Sequence, residues 1–187
     1  MKRLTVSAML VAFLTAAGAV SGEAQSAGLG GLLDWIHRLS GPQFAGAGVT
    51  AFGTLKGESH VRARLSVVHR RSFDEAEEVV QPDVMITMWT VQPTIEFPLQ
   101  NAPLELAVGV AFHRFQGDVD PFWHYSVPVL AQVRLKTGSV FPRFGLGIHI
   151  FPAFGPDDFS PLTVDVSRDK AELVLQFFLG IDVQLWR

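Results

Sequence analysis

The sequence predicts an all-β protein, an antiparallel up-and-down β-barrel of about eight strands. From Phe44 onward, apolar and polar residues alternate with a period of two, as they do in two-faced strands. Short turn-rich stretches such as KGE, QNAP and KTGS separate the alternating segments. The chain ends in LVLQFFLGIDVQLWR, in which the odd positions 173–185 are all apolar. Because a sheet of such strands exposes two edges unless it closes on itself, we predict a barrel.

The N-terminus has the three parts of a secretory signal peptide. Lys2 and Arg3 precede an uncharged apolar run over residues 8–20, and the small residues Gly22 and Ala24 follow it. We therefore predict a signal peptide over residues 1–24 that is cleaved near Ala24. The alternative is a membrane anchor, but the apolar run is shorter than the roughly 20 residues that a spanning helix needs. The net charge of −3 and the lack of cysteine argue against nucleic acid as a partner and against a disulfide scaffold.

A separate N-terminal segment, residues 25–43, is predicted to contain a short amphipathic helix from about Gly31 to Ser40. Its leucines and Ile36 recur at helical spacing, and Gly41-Pro42 is a helix stop signal. Such a helix would cover one end of the fold or rest at a membrane interface.

The barrel domain is predicted over residues 44–187. Six segments in it alternate clearly, and the C-terminal stretch makes a seventh. An eighth strand could come from PLTVDV, residues 161–166, or from the segment before residue 44. The six segments read AGAGVTAFGTL, SHVRARLSVVHRR, TVQPTIEFPL, LELAVGVAFHR, SVPVLAQVRLK and PRFGLGIHIF.

Alternation alone does not say which face points inward. A soluble barrel places its apolar face inside, whereas an outer-membrane barrel turns that face toward lipid. The outward arrangement is favoured by the continuous apolar face, the length of the strands and the mixture of large charged residues and glycines on the polar face. Nearly balanced acids and bases would then pair in a plugged interior. The predicted polar residues of this lumen are Arg62, Arg64, Glu96, Glu105, His113, Arg134, Arg143, His149, Glu172 and Asp182.

The C-terminal strand carries the most specific resemblance. It has a glycine, then alternating hydrophobic residues and a near-terminal aromatic, namely Gly180, Val183, Leu185 and Trp186. In this, residues 45–187 resemble small Gram-negative outer-membrane β-barrel proteins. The resemblance implies an outer-membrane location in contact with outer-membrane lipid. It also implies that these four residues form an assembly signal for the outer-membrane insertion machinery.

Residues that could carry chemistry are few. His124 and Ser126 form a His-x-Ser pair that resembles one in lipid A deacylases, but the nearest downstream acids, Asp157 and Asp158, lie in another segment. The other histidines lack zinc-ligand spacing, and the acidic run in FDEAEE is typical of a solvated loop. We therefore predict no metal and no cofactor.

The predicted function is that of a non-enzymatic outer-membrane barrel with an envelope-structural, adhesive or narrow-passage (porin-like) role. Two alternatives remain. One is a barrel enzyme that acts on lipid, and the other is a secreted soluble barrel that binds a small apolar ligand.

Overall fold

The computed structural model describes residues 24–38, 43–55, 61–73, 86–99, 102–117, 121–152 and 172–186. Within them, no helix is long and apolar enough to cross a membrane. The strand segments are β1 Ala24–Arg38, β2 Phe44–Leu55, β3 Arg62–Ser72, β4 Ile86–Pro98, β5 Leu104–Gly109, β6 Ala111–Gly117, β7 Phe122–Arg134, β8 Val140–Phe151 and β9 Glu172–Trp186.

The strands form a closed antiparallel barrel. Each strand pairs with its neighbours in the chain, and β1 pairs with both β2 and β9, so that the first and last strands close the sheet. The segments β5 and β6 follow one another along β4 and β7 in a single register. They are one interrupted strand, and the barrel therefore has eight strands. The predicted fold class is confirmed in this respect.

The interruption at Val110 has a cause in the two neighbouring strands. The registers place Pro93 opposite Val110 and Pro128 opposite Gly109. Proline lacks the N–H that a ladder needs, so one hydrogen bond is lost on each side of the break. The remaining bond, from Val110 N to Pro93 O at 3.2 Å, keeps the strand in line.

The predicted helix before the barrel is wrong, because residues 31–38 lie in β1. Gly28, Gly30 and Gly31 are poor helix formers, and β1 gains two hydrogen-bonded neighbours by closing the barrel. The leucine spacing that suggests a helix also fits a strand, in which Leu33 points outward and Leu32 and Ile36 point inward. The barrel thus begins well before residue 44. Residues 39–40 of the predicted helix lie outside the described residues.

This first strand also settles the strand count and the sidedness of the connections. Both Ala24 and Trp186 lie at one end of the barrel, here called the terminal end, because an even number of strands joins them. The strand ends joined by the short connections 56–61, 99–103 and 135–139 lie at the terminal end, and those joined by the long connections 73–85 and 152–171 lie at the opposite, loop end. PLTVDV, the other candidate for the eighth strand, lies outside the described residues.

The KTGS stretch forms the turn that the sequence predicts. Thr137 and Val140 pair with each other around Gly138 and Ser139, with backbone bonds of 3.1 and 3.2 Å. Gly138 has a φ of 69°, a left-handed conformation that glycine adopts without steric cost.

The two faces of the barrel differ as strongly as the alternation predicts. Along β9 the odd positions are exposed, with Leu179 at 62% of its full surface, while the even positions from Val174 to Asp182 are buried. The outward face of the other strands is likewise apolar. The inward face carries most of the buried arginine, carboxylate, histidine and amide side chains. This distribution does not fit a soluble barrel with an apolar interior.

Candidate functional site

The candidate site is the barrel interior, where inward side chains form two polar layers. The layer nearer the terminal end is here called the charged cluster. It consists of Arg62, Arg64, Glu96, Glu105, Gln132, Arg134, Arg143 and Asp182. The layer nearer the loop end is here called the hydrogen-bonded ring. It consists of Asp34, Arg70, Thr90, His113, Ser126, His149 and Gln176.

Arg64 is the centre of the charged cluster. It reaches from β3 to Glu96 on β4 and across the lumen to Asp182 on β9, with Nη2 2.7 Å from Asp182 Oδ2. A further bond joins Arg64 Nη1 to Thr50 Oγ1 at 3.1 Å. Because β4 and β9 lie on opposite sides of the barrel, this one side chain ties the two walls together. The space that Asp182 needs comes from Gly30, where a Cβ would lie 2.5 Å from Asp182 Oδ1.

The other arginines of the cluster also face carboxylates. Arg62 contacts Glu96 at 3.1 Å and forms an ion pair with Glu105, and Arg143 Nε lies 3.1 Å from Asp182 Oδ1. A buried charge without a partner costs several kcal/mol, so these pairs are what allows charged side chains inside the barrel. The cluster therefore joins six strands, β3, β4, β5, β7, β8 and β9, as well as filling space.

Arg134 closes the cluster at the terminal end. Its guanidinium lies 3.7 Å from Asp182 and stacks over Phe141 at 3.9 Å and Phe52 at 5.2 Å. Such cation–π contacts hold the planar group across the mouth of the lumen.

The hydrogen-bonded ring passes through every strand of the barrel except β2. From Thr90 it runs to His113 Nδ1 at 3.0 Å, and from His113 Nε2 to Ser126 Oγ at 2.8 Å. Ser126 then contacts His149 Nδ1 at 2.7 Å, and His149 Nε2 contacts Gln176 Oε1 at 2.8 Å. The circle closes when Gln176 donates to Asp34, which pairs with Arg70, and Arg70 donates to Thr90.

Asp34 sets the direction of the hydrogen bonds around this circle. Asp34 can only accept, so Gln176 turns its NH₂ toward Asp34 and its oxygen toward His149. A neutral His149 must then carry its proton on Nε2 and accept from Ser126 at Nδ1. Ser126 has one hydroxyl hydrogen, so it accepts from His113 Nε2, and the same reasoning makes Thr90 the donor to His113. For neutral imidazoles, this pattern of partners makes both rings Nε2–H tautomers.

Little space remains between the two polar layers. A cavity of about 20 Å³ separates them, bounded by Asp34 and Gln176 on one side and by Arg64, Glu96 and Arg143 on the other. That volume suits about one water molecule. Beyond the ring, an apolar cluster fills the loop end of the lumen. Its members are Ile36, Phe44, Ile86, Met88, Phe115, Phe151 and Val174.

The structure brings nine of the ten predicted lumen residues into these layers. His113 and His149 belong to the ring, and the side chain of Glu172 lies outside the described residues. The remaining predicted residues belong to the charged cluster, and they are Arg62, Arg64, Glu96, Glu105, Arg134, Arg143 and Asp182.

Sequence reasoning missed several members of both layers. Arg70, Thr90, Gln132 and Gln176 have the same parity along their strands as the predicted lumen residues, and that parity is the signal that could have found them. Asp34 carries no such signal, because the leucine spacing of its segment predicts a helix and strand parity does not apply there.

The His-x-Ser pair does not form a catalytic site within the described structure. Ser126 is fully buried, and its hydroxyl contacts His113 and His149. The outer nitrogens of these two rings meet Thr90 and Gln176, so no described carboxylate orients them as a triad requires. No described group of histidines and acids could hold a metal ion.

The residues of the predicted assembly signal lie on both faces of β9. Val183 and Leu185 point outward, and Gly180 lies inward against Arg143. Trp186 ends the strand, where its backbone pairs with Ala27, and its side chain lies outside the described residues.

Comparison with solved structures gives the fold a known counterpart. The match to Neisserial surface protein A covers 84% of this chain and 95% of that protein's chain, with a TM-score of 0.51 and 12% sequence identity. The fold is that of a small outer-membrane β-barrel. The resemblance that the terminal strand carries is confirmed at the level of this fold. No protein-family model matches the barrel, and no curated protein matches its sequence.

Proposed function

We propose that this barrel is a non-enzymatic integral protein of the outer membrane whose interior is sealed. The observation that carries the proposal is the interior itself: among the described residues, the charged cluster, the ring and the apolar cluster fill it, and the cavity between the two polar layers is about 20 Å³. A hydrated ion needs more room than one water position, so the narrow-passage role is the least supported of the predicted roles. An envelope-structural or adhesive role remains.

The outward face supports the membrane location. Large apolar side chains cover it on every strand, and a soluble protein rarely exposes so continuous an apolar surface. Export through a signal peptide cleaved near Ala24 would deliver the chain. Reading of the terminal strand by the insertion machinery would then place it in the bilayer.

The sealed interior is tested by conductance. Purified barrel is reconstituted into lipid vesicles, and its insertion is verified by flotation and by gel mobility that changes on boiling. The same preparation is then fused to a planar bilayer. We expect no steps in the current, and discrete channel openings from floated protein would contradict the proposal.

The non-enzymatic part of the proposal needs its own test. In the alternative, a barrel enzyme that acts on lipid, Ser126 would be the nucleophile. We expect the acyl composition of lipid A to be the same in cells with the wild-type barrel, with Ser126→Ala and without the protein. A loss of acyl chains from lipid A that depends on Ser126 would instead support the alternative function of a lipid-acting enzyme.

A further inference from the structure

The outward face carries its charge in one place. Outward positions of the described strands hold no carboxylate, and their two arginines, Arg71 and Arg114, both lie at the loop end on β3 and β6. With His69, Trp89 and Trp123 they form a patch, here called the cationic sector, that spans β3, β4, β6 and β7. On β8 and β9 the outward positions at the same end are apolar, as Ile150 and Leu173 show.

The strand registers make the sector continuous. His69 pairs with Trp89, Trp89 with Arg114, and Arg114 with Trp123, so that these side chains stand in one row across four strands. Arg71 lies two residues beyond His69 toward the loop end.

Aromatic rings pack within the sector, and one of them holds Arg114 in position. The Arg114 guanidinium lies over the Trp123 ring at 5.7 Å, and the His69 and Trp89 rings are 4.6 Å apart. Among the described residues, neither arginine of the sector forms an ion pair. A guanidinium that is already oriented loses little entropy when it binds an anion, and its fork of donors matches the oxygens of a phosphate.

Below the sector the surface changes to an apolar strip. Val91, Val110, Phe112 and Val127 continue the same strands toward the middle of the barrel, and Phe112 is 47% exposed. A ligand that fits both parts has a negative head and apolar chains. A free phosphate ion would use only the first part.

We propose that the cationic sector binds the phosphate group of an anionic lipid in the leaflet at the loop end, with the acyl chains on the apolar strip. The proposal rests on the membrane location proposed above. Arg71 and Arg114 contact the phosphate oxygens, and Trp89 and Trp123 lie at the level of the headgroup, where such rings prefer to lie.

The test uses native mass spectrometry of the full barrel in nanodiscs of zwitterionic phosphatidylcholine, to which lipid A is added as the probe. We expect Arg71→Gln and Arg114→Gln each to lower the affinity for lipid A roughly fivefold, the effect of one arginine near an anionic surface. Lys136→Gln, which removes an exposed cation from the turn at the terminal end, is the matched control and should leave the affinity unchanged.

Three results would overturn the site. In the first, the two arginine variants bind lipid A as the wild type does. In the second, Lys136→Gln has the same effect as the arginine variants. In the third, inorganic phosphate at equal concentration displaces lipid A, which would assign the sector to a free anion. A gel mobility that changes on boiling shows that each variant is folded. Failure of the wild-type barrel to enter a bilayer is a different result, and it would overturn the proposed function rather than the lipid site alone.

Discussion

At the scale of single residues, the interior is held together by buried polar side chains whose roles as donor or acceptor are set by their partners. Ser126 shows this most clearly, because its single hydroxyl hydrogen serves His149 while its oxygen accepts from His113. The side chain that would suggest a nucleophile is one link in a fixed circle of donors and acceptors.

Ser126→Ala should destabilise the barrel by about 1–3 kcal/mol, because it leaves a buried donor on His113 and a buried acceptor on His149 without partners. The free energy of unfolding is measured by urea titration in lipid vesicles, followed by the mobility shift on boiling. Ser139→Ala, in the exposed turn at the terminal end, is the control and should change little. Equal stability of the two variants would argue against the ring.

The parity of residues along each strand made much of this interior predictable. Arg64, Glu96 and Asp182 come from three different strands, and each lies at a polar position of its strand's alternation. The sequence could therefore place them on the same face of the sheet. It could not show that Arg64 bridges Glu96 and Asp182 across the lumen, because that contact depends on the tilt and closure of the whole sheet.

At the scale of elements, β1 is where sequence reasoning failed. Its leucines satisfy the helical period, while its glycines and its pairing with β2 and β9 favour a strand. Tertiary pairing decided the outcome, since a lone segment gives no information about the two edges that it will join. The terminal strand β9 was predictable because its alternation is longer and uninterrupted.

A cross-link tests the pairing of β1 with β9 directly. The chain contains no cysteine, and Leu33 lies opposite Leu179 in the register. Leu33→Cys combined with Leu179→Cys should form a disulfide on mild oxidation, since paired strand residues lie within the reach of that bond. Leu33→Cys combined with Phe144→Cys is the control, because Phe144 pairs with Leu179 from the far side and lies one strand too far from Leu33. Cross-linking of the control pair alone would refute the register.

The outward face of β9 is tested by a charge. Leu179→Arg should cost roughly 2–4 kcal/mol of folding free energy if it lies at the middle of the bilayer, because the guanidinium would be exposed to hydrocarbon. Leu179→Ala, which shortens the side chain without charge, should cost less. The comparison is made by urea titration in vesicles, and equal costs for the two variants would place Leu179 away from lipid.

At the scale of the whole molecule, the barrel reverses the arrangement of a soluble protein. Its paired charges lie inside in two layers, and large apolar side chains cover the outside of every strand. In the proposed lipid site, the cationic sector at the loop end lies at the level of the headgroups. Such a molecule is stable only where something apolar surrounds it, which ties its fold to a membrane.

Spin labels along β9 measure that arrangement most directly, because the cysteine-free chain allows single cysteines at each position from 173 to 185. In lipid vesicles, labels at odd positions should collide with oxygen dissolved in the bilayer and be shielded from a water-soluble nickel reagent. Labels at even positions from 174 to 182 should be protected from both, because they lie in the packed interior. Strong collisions of the odd-numbered labels with the nickel reagent would contradict a membrane-spanning barrel.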